Sequence, residues 1–266
     1  MGNRALLAAM VALIGLIGSA GAADAPGRHA SCSLPAALTA LGGALPHTAG
    51  ALHRRHALTV VAFGSSSTYG TGASGPAATY PSRLEAALAA RFPDARLTVI
   101  NQGVPGDTAA MMMRRLEHDA IAPAPDLVIW QTGTNDALRD VPVDDFARLT
   151  VEGIAKLHDA GIDVVLMEPQ YSAKLVAQPH YADYVESLRT VGHATGTPVV
   201  RRFDIMQAWL ADGAFAGDTM LQNDALHMRD ASYDCLGRAV AQGLAEAIDD
   251  TARTQPRLTA GIAPAK

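Results

Sequence analysis

Five short apolar stretches follow one another along the chain from residue 58 onward, and loop residues bound each of them. They are rich in β-branched and other aliphatic side chains, a composition typical of strands, and they cover residues 58–63, 97–100, 127–130, 164–167 and 199–200. Within them the apolar residues are continuous rather than alternating with polar ones, which is typical of strands buried on both faces. The pattern predicts five strands of a doubly covered sheet.

Stretches with the hydrophobic periodicity of helices lie between and after these strands. They cover residues 81–91, 108–118, 144–159, 181–195 and 232–250, and Gly161 is placed to end the third of them. Strand and helix therefore alternate, and this order predicts right-handed βαβ crossovers and a parallel sheet. We expect an α/β fold of three layers, α/β/α, with a five-stranded parallel sheet in one domain over residues 57–251.

The first 22 residues have the three parts of an export signal. Arg4 supplies a positive charge, residues 5–17 form an apolar run, and residues 18–22 are small. The alternative is a retained membrane anchor, but a span needs roughly 20 apolar residues and the strongly apolar part breaks at Gly18. We expect cleavage after residue 22, export to the periplasm or the medium, and no stable membrane span afterwards. The remaining ends are predicted to be an N-terminal arm, residues 23–56, and a loose C-terminal tail, residues 252–266.

Composition and charge narrow the class of protein. The chain has 266 residues, of which 49% are hydrophobic and 18% charged, and this balance suits a single α/β domain with a full core. The formal net charge of -5 provides no basic field for nucleic acid, so none is expected as a partner.

The only two cysteines, Cys32 and Cys235, both follow the predicted cleavage site. In an oxidising compartment we expect them to pair, the alternative being two buried thiols.

Small hydrogen-bonding residues follow the first three predicted strands. They lie at residues 64–68, 101–103 and 132–136, and a carboxylate and an imidazole, Asp224 and His227, come near the end of the chain. In parallel α/β sheets ligands bind beyond the carboxyl ends of the strands, where loops lead into helices. These residues are therefore expected to gather at one edge of the sheet.

Four of these blocks resemble, in order, those of the SGNH (GDSL-type) hydrolases. The resemblance is carried by residues 64–67, Gly103, residues 133–136 and residues 224–227. It implies a flavodoxin-like SGNH hydrolase fold and hydrolysis of carboxylic esters through an acyl-enzyme intermediate. One departure is Ser65, which stands where the family often has aspartate.

The resemblance also implies the role of each site residue. Ser66 would be the nucleophile, with Asp224 and His227 completing a triad, and Ser66, Gly103 and Asn135 would form the oxyanion hole. The chemistry agrees, because a serine hydroxyl needs a neighbouring base and that base needs an orienting acceptor. Of the nine histidines, His227 alone has an acidic residue three positions earlier. Asp136 suits a cap or turn as well as it suits catalysis, and it is not assigned.

The sequence argues against two other classes of function. The loop after the first strand lacks the Gly-Lys-Ser/Thr ending of a phosphate-binding loop, and the histidines and cysteines lack the spacing of metal ligands, so neither a cofactor nor a metal is expected. Two alternatives stay open: an acyltransferase on the same fold, and a non-catalytic glycan-binding protein, against which the presence of Ser66 and His227 argues. The expected substrate is a small-molecule or glycan ester, and residues 171–184 are the candidate pocket wall.

Overall fold

The computed structural model describes residues 32–259, with side-chain detail for residues 32–254. The predicted export signal, residues 1–22, and residues 260–266 of the predicted tail lie outside this range. The predicted sheet is confirmed: five parallel strands are arranged in the order β2-β1-β3-β4-β5. The strands are β1 (Ala57–Gly64), β2 (Arg96–Gly103), β3 (Leu127–Gln131), β4 (Asp163–Met167) and β5 (Val199–Val200).

Helices follow the strands and cover the sheet on both faces, as the three-layer prediction requires. They are α1 (Ala36–Thr39), α2 (Pro46–Gly50), α3 (Ser66–Tyr69), α4 (Tyr80–Arg91), α5 (Ala109–Leu116), α6 (Thr134–Leu138), α7 (Val143–Asp159), α8 (Ala173–Val176), α9 (Tyr181–Thr195), α10 (Arg202–Ala211), α11 (Gly217–Met220) and α12 (Asp230–Thr259). Alternate residues of β1 point to opposite faces and so divide the core. Val60 and Ala62 join one apolar cluster, with residues of α4 and α12, while Val61 and Phe63 join the other, with residues of α5, α7 and α9.

The strands differ in how completely they are covered. β3 and β4 are buried at every residue, which explains their unbroken apolar runs. β2, by contrast, alternates between exposed and partly buried positions, so the expectation of continuous burial is wrong for this strand. The reason is its place at one edge of the sheet, where only one neighbour, β1, pairs with it.

The described parts of both predicted terminal segments, residues 32–56 and 252–259, continue the folded domain. Within the predicted arm, three residues are buried in the core: Leu45 directly before α2, Ala49 within it, and Leu52 just after it. Residues 252–259, predicted to be loose, continue α12. Thr251 is buried at this point, and its hydroxyl accepts a hydrogen bond of 3.0 Å from the backbone N–H of Leu45. The two ends of the domain therefore stabilise each other.

The two cysteines are joined in the structure. Cys32 and Cys235 form a disulfide with their Cα atoms 5.1 Å apart, across a sequence separation of 203 residues. The bond attaches the start of the described chain to α12. Among the described residues, no helix is both long and apolar enough to cross a membrane.

Candidate active site

Of the three consecutive serines after β1, two are buried and committed to the interior. The N–H and Oγ of Ser65 both donate to Oε1 of Gln131, at 3.0 and 2.9 Å. Oγ of Ser67 donates to Oε1 of Gln170 at 3.4 Å. Ser66 is the first residue of α3 and keeps partial exposure. The local hydrogen bonding thus leaves Ser66 as the hydroxyl that faces outward.

Ser66, His227 and Asp224 form one chain of hydrogen bonds. Nε2 of His227 lies 3.0 Å from Oγ of Ser66, and Nδ1 of the same ring lies 2.6 Å from Oδ2 of Asp224. With its proton on Nδ1, a neutral imidazole donates to the carboxylate and offers Nε2 as an acceptor to the serine hydroxyl. The side chain of His227 is only 15% exposed, so the ring is held between its two partners.

The carboxylate of Asp224 is stabilised by its own loop. Burial alone would raise the pKa of Asp224, but the backbone N–H and ring of His227 and the N–H of Leu226 donate to the carboxylate and hold the pKa below its usual range. The two backbone bonds go to Oδ1, at 2.9 Å from Leu226 and 3.0 Å from His227. Asp224 is therefore an anion at neutral pH and an acceptor of fixed orientation.

Gly103 lies directly against the helix that carries Ser66. A Cβ atom at this position would overlap the backbone of Tyr69, so only glycine lets β2 approach α3 so closely. The backbone N–H of Gly103, however, donates to Oδ1 of Asn101 at 3.0 Å. The structure therefore brings Gly103 next to the loop of Ser66 with its N–H already bonded.

Asn135 is anchored at the start of α6. Its Nδ2 donates to the carbonyl oxygen of Asp107 at 2.9 Å, which leaves the second amide hydrogen for another acceptor. Its neighbour Asp136 is buried and has a structural role, because both carboxylate oxygens accept from the N–H of Ala109 at 3.0 and 3.2 Å. Burial raises the pKa of Asp136. This geometry supports leaving Asp136 out of the site.

Arg115, on α5, ties together the loops that carry the site. Its guanidinium donates to the carbonyl oxygens of Gly64 (2.9 Å) and Gln102 (3.0 Å), and pairs with Asp107 at 2.6 Å. Gly64 and Gln102 are the last residues before Ser65 and Gly103, so one side chain fixes the ends of β1 and β2. Sequence reasoning missed Arg115, since nothing distinguishes it from other arginines on a partly exposed helix.

Gln131 and Gln170 were also missed, although their positions carried a signal. Gln131 is the last residue of the fully buried strand β3, and Gln170 lies three residues beyond the end of β4. A large polar side chain that is buried at the carboxyl end of a buried strand needs specific partners. Both glutamines find them in the serine loop.

A cavity of about 510 Å³ opens beside Gly103. Every residue that lines it is uncharged: Tyr69, Gly70, Ala73, Gly75, Pro76, Thr79, Ser82, Asn101 and Gly103. Its polar groups are largely bonded within the protein, for example Oγ of Ser82 to the carbonyl of Pro76 (2.8 Å) and Nδ2 of Asn101 to that of Thr68 (2.8 Å). The cavity is thus suited to an uncharged group that needs few hydrogen bonds.

The predicted pocket wall, residues 171–184, is not part of this cavity's lining. It borders the loop of the acidic residue, where Nζ of Lys174 donates to the carbonyl oxygen of Asp224 at 3.1 Å. Among the residues described, no cluster of three or more histidine, cysteine, aspartate or glutamate side chains could hold a metal ion.

A family model and a known relative both match this chain. The model of the Non-GDSL lipase-like family matches residues 31–250. An arylesterase of Vibrio mimicus is 35% identical over 89 residues, which are 34% of this chain and 44% of that protein, so the match spans less than half of the relative.

Solved structures of esterases share the fold. A two-domain esterase active on acetylated mannans superimposes with a TM-score of 0.65 at 20% identity, over 79% of this chain and 55% of that one. A lipase/acylhydrolase from Enterococcus faecalis has a TM-score of 0.57 at 26% identity, over 70% and 95% of the two chains. An acetylxylan esterase from Geobacillus stearothermophilus has a TM-score of 0.59 at 19% identity, over 72% and 94%.

Proposed function

Because the chain belongs to the Non-GDSL lipase-like family, among the SGNH hydrolases, we propose that it hydrolyses carboxylic esters with Ser66 as its nucleophile. The observation that carries this proposal is the continuous chain of hydrogen bonds from Oγ of Ser66 through His227 to Asp224. Asp224, with its lowered pKa, remains charged throughout and stabilises the imidazolium that forms during each step.

In the acylation step, Nε2 of His227 takes the proton of Ser66 as Oγ attacks the carbonyl carbon of the ester. A tetrahedral intermediate forms, and the protonated imidazole then donates its proton to the departing alkoxide as the carbon–oxygen bond breaks. The acyl group is left on Ser66 and the alcohol is released. In the second step His227 takes a proton from a water molecule as the water attacks the acyl group. The imidazolium then returns this proton to Oγ of Ser66 as the acyl–oxygen bond breaks, which releases the carboxylic acid and restores the serine and the neutral imidazole.

The negative charge on the intermediate requires preorganised donors. The N–H of Ser66 is suitable because the first residue of a helix has no acceptor within that helix. The second amide hydrogen of Asn135 is suitable because its first is fixed on Asp107. Gly103 can contribute its N–H only by exchanging Oδ1 of Asn101 for the oxyanion.

The cavity beside Gly103 supports uncharged esters with a compact substituent as substrates. Its volume of about 510 Å³ lies within the range of small-molecule sites, and its lining offers the aromatic ring of Tyr69 and several small apolar surfaces but no charge. The arylesterase and the glycan acetyl esterases described above are similar to this chain and act on esters of two kinds, aryl and acetylated glycan. We therefore place small-molecule or glycan esters with short acyl groups as the substrate class.

Reaction of Ser66 with a fluorophosphonate tests the assignment. Peptide mass spectrometry is expected to find the adduct on Ser66 alone, and Ser66→Ala is expected to lose several orders of magnitude in hydrolysis of p-nitrophenyl acetate, because the triad acts as one unit. Ser65→Ala and Ser67→Ala, the matched controls, should keep measurable turnover. An adduct on either neighbour, or near-normal turnover of Ser66→Ala, would overturn the proposal.

Product analysis with an acceptor sugar distinguishes hydrolysis from acyl transfer.

We also propose that the protein is exported. The proposal is supported by the pattern of residues 1–22 and by the pairing of Cys32 with Cys235, since disulfides persist in oxidising compartments. Protein recovered from the exported fraction of its host should begin near Ala23 and should contain no free thiol before reduction. An intact Met1 in that fraction, or two titratable thiols in the native chain, would contradict export with disulfide formation.

A further inference from the structure

The side-chain amide of Gln170 lies buried beneath the nucleophile loop, and every part of it is bonded. Its Oε1 accepts from three donors: Oγ of Ser67 at 3.4 Å, Oγ1 of Thr134 at 3.0 Å and Nη2 of Arg202 at 2.7 Å. Its Nε2 donates to the carbonyl oxygen of Leu226 at 3.3 Å. A single amide therefore joins the nucleophile helix, the Asn135 helix and the histidine loop.

Arg202 determines which way this amide points. Its side chain is completely buried, its Nε donates to the backbone carbonyl of Glu168 at 2.9 Å, and its Nη2 donates to Gln170. A guanidinium has only hydrogen-bond donors. The amide of Gln170 must therefore turn its oxygen, and not its NH2 group, towards Arg202. The NH2 group of Gln170 must then face Leu226.

The bond to Leu226 restrains the peptide group that leads into His227. The carbonyl of this peptide accepts from Gln170, and its N–H, that of His227, donates to Asp224 at 3.0 Å. The preceding residue, Ala225, has a φ of 55°, a left-handed conformation that costs free energy for alanine. This loop therefore needs external hydrogen bonds to hold its shape, and Gln170 supplies one from outside the loop.

We propose that Gln170, oriented by Arg202, is a positioning residue that keeps the His227 ring in register with the hydroxyl of Ser66. The inference rests on the proposed roles of Ser66 and His227 and adds the group that sets the distance between them. Gln170 contacts Ser67 on one side and the Leu226–His227 peptide on the other, so its loss lets the two partners shift relative to each other. Gln170 does not line the cavity beside Gly103, so its substitution leaves that cavity unchanged.

The substitution Gln170→Glu separates positioning from folding. Glutamate keeps the oxygen that Ser67, Thr134 and Arg202 bind, but it replaces the NH2 donor with a second carboxylate oxygen that faces the carbonyl of Leu226. We expect kcat for p-nitrophenyl acetate to fall by about 10²-fold with KM unchanged, since misplacement of reacting groups by about 1 Å costs on that order. The rate of fluorophosphonate labelling at Ser66 should fall in parallel, because it needs the same alignment.

Thr48→Val is the matched control. Thr48 is equally buried, and its hydroxyl donates to Oδ2 of Asp163 at 2.8 Å, at the amino-terminal end of β4 and away from the serine. Its loss should lower the unfolding midpoint and leave kcat and labelling unchanged. Arg202→Lys, which keeps the charge but cannot bind both Gln170 and Glu168 in the same way, should reproduce the kcat effect of Gln170→Glu in weaker form.

The outcomes distinguish the two proposals. If the wild-type protein neither hydrolyses esters nor reacts with the fluorophosphonate, the proposed function fails. If the wild type reacts, and folded Gln170→Glu and Arg202→Lys both keep the wild-type kcat and labelling rate, the positioning role alone is overturned. A fall in stability without a fall in kcat would show that Gln170 is structural only, as expected for Thr48.

Discussion

The two ends of the sheet both carry buried polar clusters, yet they differ in what those clusters leave exposed. At the amino-terminal end, the N–H and hydroxyl of Thr48 donate to Asp163, and Asp126 accepts from the N–H of Thr59 and pairs with Arg55. These bonds attach α2 and the segment after it to the strands. At the carboxyl end, the glutamines saturate Ser65 and Ser67 but not Ser66, which bonds to His227 at the surface. A buried polar cluster by itself therefore marks no site. The site is marked by the partly exposed pair Ser66 and His227, next to two serines whose hydroxyls are bonded to buried glutamines.

The pKa values of the carboxylates at the two ends of the sheet shift in opposite directions, and the same two influences, burial and hydrogen bonding, account for both shifts. Burial raises the pKa of Asp163 and outweighs the hydrogen bonds from Thr48. Asp224 is far more exposed, so the bonds from its own loop outweigh burial and lower its pKa. The balance between desolvation and hydrogen bonding, rather than the number of bonds, decides the direction in which each pKa moves.

Among the substitutions that test this difference between the two ends of the sheet, Asp224→Asn is expected to have the largest effect on turnover. Asparagine keeps the shape of the side chain, but it removes the charge and can favour the wrong tautomer of His227. We expect kcat to fall by about 10⁴-fold, the effect of this substitution in an established triad. Steady-state kinetics with p-nitrophenyl acetate measures it, and Asp163→Asn, the same change at the other end of the sheet, should leave kcat at the wild-type value. Equal kinetics of the two variants would remove Asp224 from the triad.

Asn135→Ala tests one of the donors proposed for the oxyanion hole. Deletion of one such donor lowers turnover by about 10²–10³-fold. Because Asn135 is partly exposed, water can replace the bond that its side chain donates to the carbonyl of Asp107, and we expect the unfolding midpoint to change little. Parallel kinetic and urea-unfolding measurements check both statements, and wild-type turnover would exclude Asn135 from the site.

The smallest effect is on the pH dependence of stability. The folded-state pKa of Asp163 lies above its unfolded value of about 3.9, so the folded protein binds this proton more tightly and the contribution of Asp163 to stability falls as pH rises above about 4. Asp224 has the opposite sign: its contribution is present above about pH 3.9 and is lost as pH falls through its lowered pKa.

Urea midpoints measured from acid to neutral pH distinguish the two signs. Asp163→Asn should remove a decline of stability with rising pH, and Asp224→Asn should remove a rise. Thr48→Val removes a hydrogen bond that lowers the pKa of Asp163, so it should steepen the decline of stability with rising pH, whereas Asp163→Asn should remove it. Identical pH profiles of the two aspartate variants would contradict the assigned directions.

The sheet could be predicted because buried parallel strands carry unbroken apolar runs that loops interrupt. Helix α10 was missed because it begins two residues after the two-residue strand β5, with two arginines at the junction. The helices before β1 were missed because their buried positions, Leu45, Ala49 and Leu52, are scattered among alanine, glycine and histidine residues. In both cases tertiary burial, and not local pattern, decides the structure.

The site was predictable where chemistry requires particular residue types. Ser66, Asp224 and His227 carry groups whose combination suits acyl transfer, and the structure brings them together. Arg115 and Arg202 carry no such signature, since the contacts that matter join them to residues 13 to 51 positions away, and Gln170 offers only its place just beyond a buried strand. The role of these residues becomes visible only in the structure, from their burial and their hydrogen-bond partners.

The disulfide gives the molecule a covalent topology that the fold alone does not have. Residues 32–235 form a closed ring of main chain and one sulfur–sulfur bond, and Ser66, Asn135, Asp224 and His227 all lie within it. A single proteolytic cut in an exposed segment of that ring, such as the one around Lys174, would leave the two fragments tethered. The nicked protein would then regain its triad by an intramolecular and concentration-independent association.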